Sequence, residues 1–259
     1  MEVKNVTPLL EKSIENALSF YKREDIDIDY IPTIQYLDEL YEFDPSVPAV
    51  YTKTLEDNSS GKLVEKFIMG FIDPVFEKVG EDKLEEHEKS ELIKKAETTY
   101  KIITKKYTES EADILVFKPM LEYDTNTIEY HIAHEIWHMI ENIKNVATTG
   151  FFIKEGTATY AANRFKGINY RYSDGWNKFI SVMEKEVLTN PSTWDKLLFY
   201  IGATQMIHEK VKNYEKPLKL LLNPSVRKEI EEEFLKEITP LVFKALERIY
   251  NEIRTPRII

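Results

Sequence analysis

Apolar residues recur at helical spacing in several long segments of the chain and alternate with polar residues in a few short ones. Residues 8–23 show helical spacing and are predicted to form a helix. A longer helix with a mixed, solvated Glu and Lys face is predicted over residues 82–107. After Gly167 the pattern predicts helices only, one of them beginning within residues 191–195.

Alternation predicts the strands, all in the first half. Residues 26–30 alternate apolar and acidic positions, which favours a strand. Residues 48–56 and 62–72 are predicted to be two strands joined by a turn, because Asp, Asn, Ser and Gly lie between them. Residues 112–118 form another predicted strand, ended by Pro119.

Together these elements predict an α+β fold with a small mixed sheet and a mainly helical C-terminal lobe. We expect an N-terminal α/β lobe over residues 1–145 and a helical lobe over residues 146–259. Pro217, Pro224 and Pro240 are expected to punctuate the helices of the second lobe.

One predicted helix, residues 127–145, has two contrasting faces. At about 100° per residue, three histidines, His131, His134 and His138, fall on one side, with Glu135 at its edge. An ordinary amphipathic helix with surface histidines is the alternative, but it does not explain why three of the five histidines cluster here. The opposite side is aliphatic: Ile128, Ile132, Ile136, Met139, Ile140 and Ile143.

Within this helix, residues 134–138 read His-Glu-Ile-Trp-His. With 3.6 residues per turn, His134 and His138 share a face and can hold one metal ion. Glu135 lies close enough to act on a water that the metal activates. From 5 histidines and 45 acidic residues in 259, chance gives roughly 0.02 such matches. The part played by His131 is left open, since a histidine one turn away is more often solvent-facing.

Glu155 is the candidate third ligand, because a catalytic zinc usually has three protein ligands and one open position. It is the only acidic residue between Glu141 and Asp174. It begins a run with small residues at 156, 158, 161 and 162, which would let a second helix approach the first closely. The alternative is that Glu155 only favours a helix N-terminus, where negative charge is stabilised.

The pattern His134-Glu135-x-x-His138 followed by Glu155-Gly156-x-Ala158 resembles the gluzincin clan of metallopeptidases. Its Glu-Gly-x-Ala-x-Tyr form looks most like the aminopeptidase branch and related Zn-dependent proteases, over roughly residues 110–165. The resemblance implies a zincin-like fold and one Zn²⁺ ion held by His134, His138 and Glu155. The Gly-x-Met-Glu-Asn run that anchors a substrate amine in true aminopeptidases is absent, so endo- or exo-cleavage stays open.

The resemblance also implies roles for other residues. Glu135 would be the general base, and the strand over residues 113–118 would bind extended substrate by strand addition. By analogy Tyr200 would stabilise the oxyanion, in competition with three other tyrosines. The competing tyrosines are Tyr160, Tyr170 and Tyr172. Independently of the resemblance, Asn142, one turn beyond His138, and Thr159, one turn beyond Glu155, are positioned to orient the ligands.

Composition narrows the function further. A net charge of −10 argues against nucleic acid or an anionic membrane as a partner. Cysteine is absent, which excludes thiol catalysis and cysteine-ligated zinc. The N-terminus lacks a signal-peptide pattern and no apolar run could span a bilayer, so a cytoplasmic location is expected.

We therefore expect a zinc-dependent peptidase acting on peptide or protein substrates. A zinc hydrolase of a non-peptide amide is the first alternative. A gluzincin-like domain that binds metal or peptide without turnover is the second, although such a domain has no use for Glu135.

Overall fold

The structure of the 259-residue chain is a computed structural model. It describes residues 6–42, 47–53, 83–146, 151–168 and 196–254, together with residues 73 and 77. The predicted strand over residues 62–72, the turn before it and the helix start within residues 191–195 lie outside these described residues.

Seven helices and three strands make up the described regular structure, apart from short turns. The helices are α1 (Val6–Arg23), α2 (Glu86–Thr108), α3 (Thr125–Ile143), α4 (Phe151–Phe165), α5 (Lys196–Val211), α6 (Pro217–Leu220) and α7 (Pro224–Arg254). The strands are β1 (Ile34–Tyr36), β2 (Ala49–Tyr51) and β3 (Ile114–Val116), and a 3-10 turn (Lys118–Glu122) joins β3 to α3.

The sheet has the order β1-β3-β2, with β3 parallel to β1 and antiparallel to β2. Successive residues of β3 point to opposite faces, and all three are buried. Ile114 and Val116 join the main core, whereas Leu115 joins a smaller cluster with Tyr107 of α2 and Phe117. The sheet is therefore covered on both faces around its central strand.

The main core lies between the sheet, α1 and α3, and it continues into α4 and α5. The Tyr21 hydroxyl of α1 donates to the Ala133 carbonyl of α3 at 2.7 Å. Burial raises the pKa of this phenol well above its ordinary value, with the negative charge of Glu141 adding to the effect. Tyr21 thus fixes α1 against the helix that carries the histidines.

The α+β class and the small mixed sheet are confirmed, and so are the predicted helices over residues 8–23 and 82–107. The division into lobes at residue 145 and the zincin-like fold stay predictions. Pro217 and Pro224 begin helices as expected, but Pro240 lies inside α7 instead of interrupting it. In the part of the chain that is described, no helix has the length and apolar character needed to cross a membrane.

The predicted strand over residues 26–30 is wrong. Ile26 is buried, Ile28 half-buried and Asp27 exposed, so burial alternates at the start of this segment, but among the described residues it pairs with no strand. Instead the chain leaves α1 through Asp25, at a φ of 60°, and enters the sheet eight residues further on, at Thr33 and β1. The alternating pattern therefore reflects an extended segment that packs on the core, and not a strand paired in the sheet.

Candidate metal centre

Helix α3 presents the histidine pair. Its N-cap is Asp124, whose side chain accepts a hydrogen bond from the Thr127 N–H at 2.7 Å. The predicted aliphatic side is buried except for Ile143, which is 46% exposed at the last position of the helix. Since this side faces the core, His134 and His138 are turned toward α4.

Helix α4 brings Glu155 to the histidines from its second turn, because the helix begins at Phe151. A simple preference of Glu155 for the helix N-terminus therefore does not account for its position. The small residues at 156, 158, 161 and 162 were expected to let α4 approach α3, but the close neighbour of Gly156 lies in α5. A Cβ atom added at Gly156 would lie 2.7 Å from the Ala203 Cβ of α5. The missing side chain thus serves the packing of α4 against α5.

His134, His138 and Glu155 form a group that could hold a metal ion. The two Nε2 atoms are 3.2 Å apart. Glu155 Oε2 lies 3.3 Å from His134 Nε2, and Glu155 Oε1 lies 3.5 Å from His138 Nε2. Tetrahedral bonds of about 2.0–2.1 Å separate ligand atoms by about 3.3 Å. The two histidine nitrogens have this spacing, each faces a different oxygen of Glu155, and with one atom taken from each residue the three donors lie within 4.8 Å of one another.

The members of this group also shift one another's pKa values. Burial opposes the charged form of Glu155, but the neighbouring histidines outweigh it and hold its pKa well below the ordinary value. Burial likewise opposes the charge on His138, while the charge of Glu155 and the nearby carboxylates of Glu141 and Glu155 raise its pKa to about 10. The raised pKa favours a proton on His138 in the metal-free protein, and an ion bound at this group would have to displace it.

Glu135 is buried beside the ligands, with 8% of its surface exposed. Its Oε2 atom accepts a hydrogen bond from the Tyr51 N–H at 2.7 Å. Burial raises the pKa of the carboxyl, against the opposing influence of His134 and His138. The carboxylate is thereby held in one orientation and made more basic than a surface glutamate.

Tyr51 links this carboxylate to the edge of the sheet. Thr52 N–H donates to the Asp113 carbonyl, and Phe117 N–H donates to the Pro48 carbonyl, so residues 48 and 52 face β3. The backbone groups of Ala49 and Tyr51 consequently point to the opposite edge of β2. Because β3 is paired on both sides, the expectation that residues 113–118 bind substrate by strand addition is wrong, and β2 is the strand that borders the site.

Behind His138 lies a buried glutamate that the sequence analysis did not single out. Glu141 is fully buried and its Oε1 atom accepts from Trp137 Nε1 at 2.6 Å, Thr157 Oγ1 at 2.5 Å and Arg227 Nη1 at 2.6 Å. Burial raises the pKa of Glu141, but Arg227 and His138 outweigh it and lower the value to about 2. Its place one turn after Trp137 and His138 was the only local signal available.

The residues expected to orient the ligands have other partners. Asn142 Nδ2 donates to the Tyr51 hydroxyl at 3.2 Å, and Thr159 hydrogen-bonds to Tyr130. Glu141 instead lies near the second nitrogen of His138, with its Oε2 atom 3.6 Å from Nδ1. A residue about one helical turn beyond His138 does lie behind that histidine, but it is Glu141 and not Asn142.

His131 lies outside the group of ligand atoms. Its ring stacks on Tyr123 with centroids 5.4 Å apart and meets the edge of Tyr130 at 5.5 Å. Burial, and to a smaller extent the charge of His134, lowers its pKa to about 4. His131 is thus a neutral ring packed between two tyrosines in the turn before the first ligand.

The structure describes the side chains of only some of the tyrosines considered for oxyanion stabilisation. Tyr200 lies in α5, but its side chain is outside the described residues, as are Tyr170 and Tyr172 altogether. Tyr160 is buried, hydrogen-bonds to Arg164 and packs on His208 of α5, with ring centroids 6.1 Å apart. The assignment of Tyr200 stays a prediction.

Searches with this chain against known protein families, curated proteins and solved structures return no significant match. Any function assigned to the site therefore depends on its own residues and geometry.

Proposed function

We propose that the chain is a zinc-dependent peptidase of the gluzincin type, cutting peptide bonds in peptide or protein substrates. The observation that carries the proposal is a buried carboxylate, Glu135, directly beside a donor set of two histidines and one glutamate. This His₂Glu set is one that catalytic zinc uses. A site that only stored or sensed a metal would need the three ligands but not Glu135.

Zinc in this site would polarise the scissile carbonyl and lower the pKa of water toward neutrality. Glu135 would take the proton of the attacking water and deliver it to the leaving amine. Its Oε2 atom is held by the Tyr51 N–H, so we assign the proton transfer to Oε1. Burial supports this role, because a raised pKa brings the carboxyl closer to the range in which it can both accept and return a proton.

Tyr200 would donate a hydrogen bond to the oxyanion. Loss of one oxyanion donor lowers kcat by about 10²–10³-fold. Tyr200→Phe should therefore retain zinc and lose turnover by this factor, as measured by steady-state cleavage of a peptide identified from a library. If kcat is unchanged in Tyr200→Phe, the donor is another group.

The direct test combines metal analysis with cleavage of a peptide library. Wild type is expected to contain one zinc and to cut peptides. Glu135→Gln is expected to keep the zinc and lose cleavage, whereas Glu122→Gln, at an exposed acid before α3, should retain both. If wild type binds zinc and cuts no peptide, the peptidase proposal fails. If it takes up Fe(II) in preference, which the same donor set also suits, hydrolysis is the wrong chemistry.

A further inference from the structure

A fully buried cluster of polar side chains joins three helices behind the ligands. Glu141 of α3, Thr157 of α4 and Arg227 of α7 are each 0% exposed. Glu141 Oε1 is the common acceptor, at 2.5 Å from Thr157 Oγ1 and 2.6 Å from Arg227 Nη1. Arg227 Nη2 also lies 3.4 Å from Thr157 Oγ1. Such a cluster costs desolvation, and hydrophobic residues of similar volume would often stabilise the fold as well or better.

The second oxygen of Glu141 faces a ligand. His138 turns Nε2 toward His134 and Glu155, which leaves Nδ1 on the other side of the ring. Nδ1 and Glu141 Oε2 are 3.6 Å apart, both are buried, and within the described structure neither makes a hydrogen bond. A shift of about half an ångström would make that bond. It would fix the proton on Nδ1 and leave Nε2 as the lone-pair donor.

Arg227 holds Glu141 in this position from far along the chain. It lies in the first turn of α7, and 86 residues separate it from Glu141. With Trp137, Thr157 and Arg227 all bonded to Oε1, the carboxylate cannot rotate without breaking several hydrogen bonds. Its Oε2 atom is therefore kept pointing at His138.

We propose that Glu141 is a positioning residue for His138, and that Arg227 makes metal affinity depend on the docking of helix α7. The proposal rests on the metal site assigned above but not on peptidase activity. A ligand histidine that loses such a partner typically loses metal affinity by about 10–100-fold. The competing explanation is that Glu141 and Arg227 only stabilise the fold.

The double variant Glu141→Gln/Arg227→Met separates the two explanations. The glutamine carbonyl keeps an acceptor for Trp137 and Thr157, and methionine fills the space of the arginine stem without a charge. Removing both members of a buried pair is often tolerated, unlike removing one. The glutamine then turns its amide NH₂ toward His138 Nδ1, which favours the tautomer that cannot donate its Nε2 lone pair.

Zinc affinity is measured by competition with a chromophoric chelator, and stability by thermal melting of the metal-free protein. The double variant should melt within about 4 °C of wild type and bind zinc about 10–100-fold more weakly. Arg227→Lys, which keeps the charge but not the forked geometry, should fold and fall between the two in affinity. Lys228→Met, at the neighbouring exposed position, should change neither quantity.

Each result decides a different statement. If the double variant or Arg227→Lys binds zinc as tightly as wild type, the positioning role is overturned, whatever happens to stability. If wild type binds zinc but cuts no peptide, the peptidase proposal falls and the positioning role stands. If wild type binds no zinc, the metal site itself is wrong and both fall.

Discussion

Gly156→Ala should destabilise the protein although alanine is the better helix former. The added Cβ would lie 2.7 Å from Ala203 Cβ, 3.1 Å from the Ala203 carbonyl carbon and 3.1 Å from Ile207 Cδ1. Carbon atoms pack best at about 3.5–4.0 Å, so α4 and α5 would have to separate by about 0.8 Å or more. The Ala203 atoms belong to a buried helix and cannot rotate out of the way.

The magnitude follows from two opposing effects. Overpacking of a buried contact costs about 1–3 kcal/mol, and we expect the upper end because a backbone atom is involved. Replacing a glycine inside a helix by alanine stabilises the helix by about 1 kcal/mol. The net loss is therefore about 2 kcal/mol, or about 4–8 °C in Tm for a chain of this size. Because Glu155 precedes Gly156 and would move with α4, zinc binding should weaken as well.

Thermal melting of Gly156→Ala, Ala203→Gly and the double variant tests this reasoning. Ala203→Gly removes the nearest atom, so the double variant should be more stable than the sum of the two single changes predicts. A Tm above that of wild type for Gly156→Ala would refute the close approach of the helices. Strict additivity in the double variant would show that Ala203 is not the atom in conflict.

Other outcomes follow from the electrostatics and packing of the site. The pKa of Glu141 in the folded protein is about 2, below its ordinary value of 4.5. Its contribution to the stability of the metal-free protein is therefore present above pH 4.5 and lost as the pH falls through 2. Urea unfolding measured at several pH values would detect this loss. The pKa of His138 is raised from 6.5 to about 10, so its contribution is complete below pH 6.5 and lost as the pH rises through 10. Because zinc must displace that proton, zinc affinity should increase up to about tenfold per pH unit between pH 7 and 10, and a flat titration would contradict this. His131→Phe should leave zinc affinity within about threefold of wild type, and a larger loss in a chelator competition would make His131 a ligand.

The group that could hold a metal ion could be predicted from the sequence because its arrangement is mostly local. Helical periodicity alone places His134 and His138 on one face, opposite a buried aliphatic stripe. Glu155 could be found because it is the only acid in a long stretch of chain, although it comes from another helix. In both cases a short sequence pattern leaves few residues that could bind a metal ion at this position.

Features that depend on distant partners could not be predicted. Nothing near Glu141 in the sequence indicates that Arg227 will be buried against it. Gly156 was correctly associated with close packing, but its neighbour is α5, and periodicity does not say which helix a face will meet. The order of the sheet strands cannot be predicted for the same reason: β3 was expected at an edge of the sheet, but it is the central strand, and β2 is the strand that contacts Glu135.

Zinc K-edge X-ray absorption on protein loaded with one equivalent of zinc tests the central claim most directly. Ligation by His134, His138 and Glu155 predicts only nitrogen and oxygen neighbours at about 2.0–2.2 Å, with outer-shell scattering from two imidazole rings. Substitution of either histidine by alanine should remove one ring from that pattern. Scattering from three imidazoles, or a two-imidazole spectrum that survives the loss of His138, would contradict the proposed ligand set.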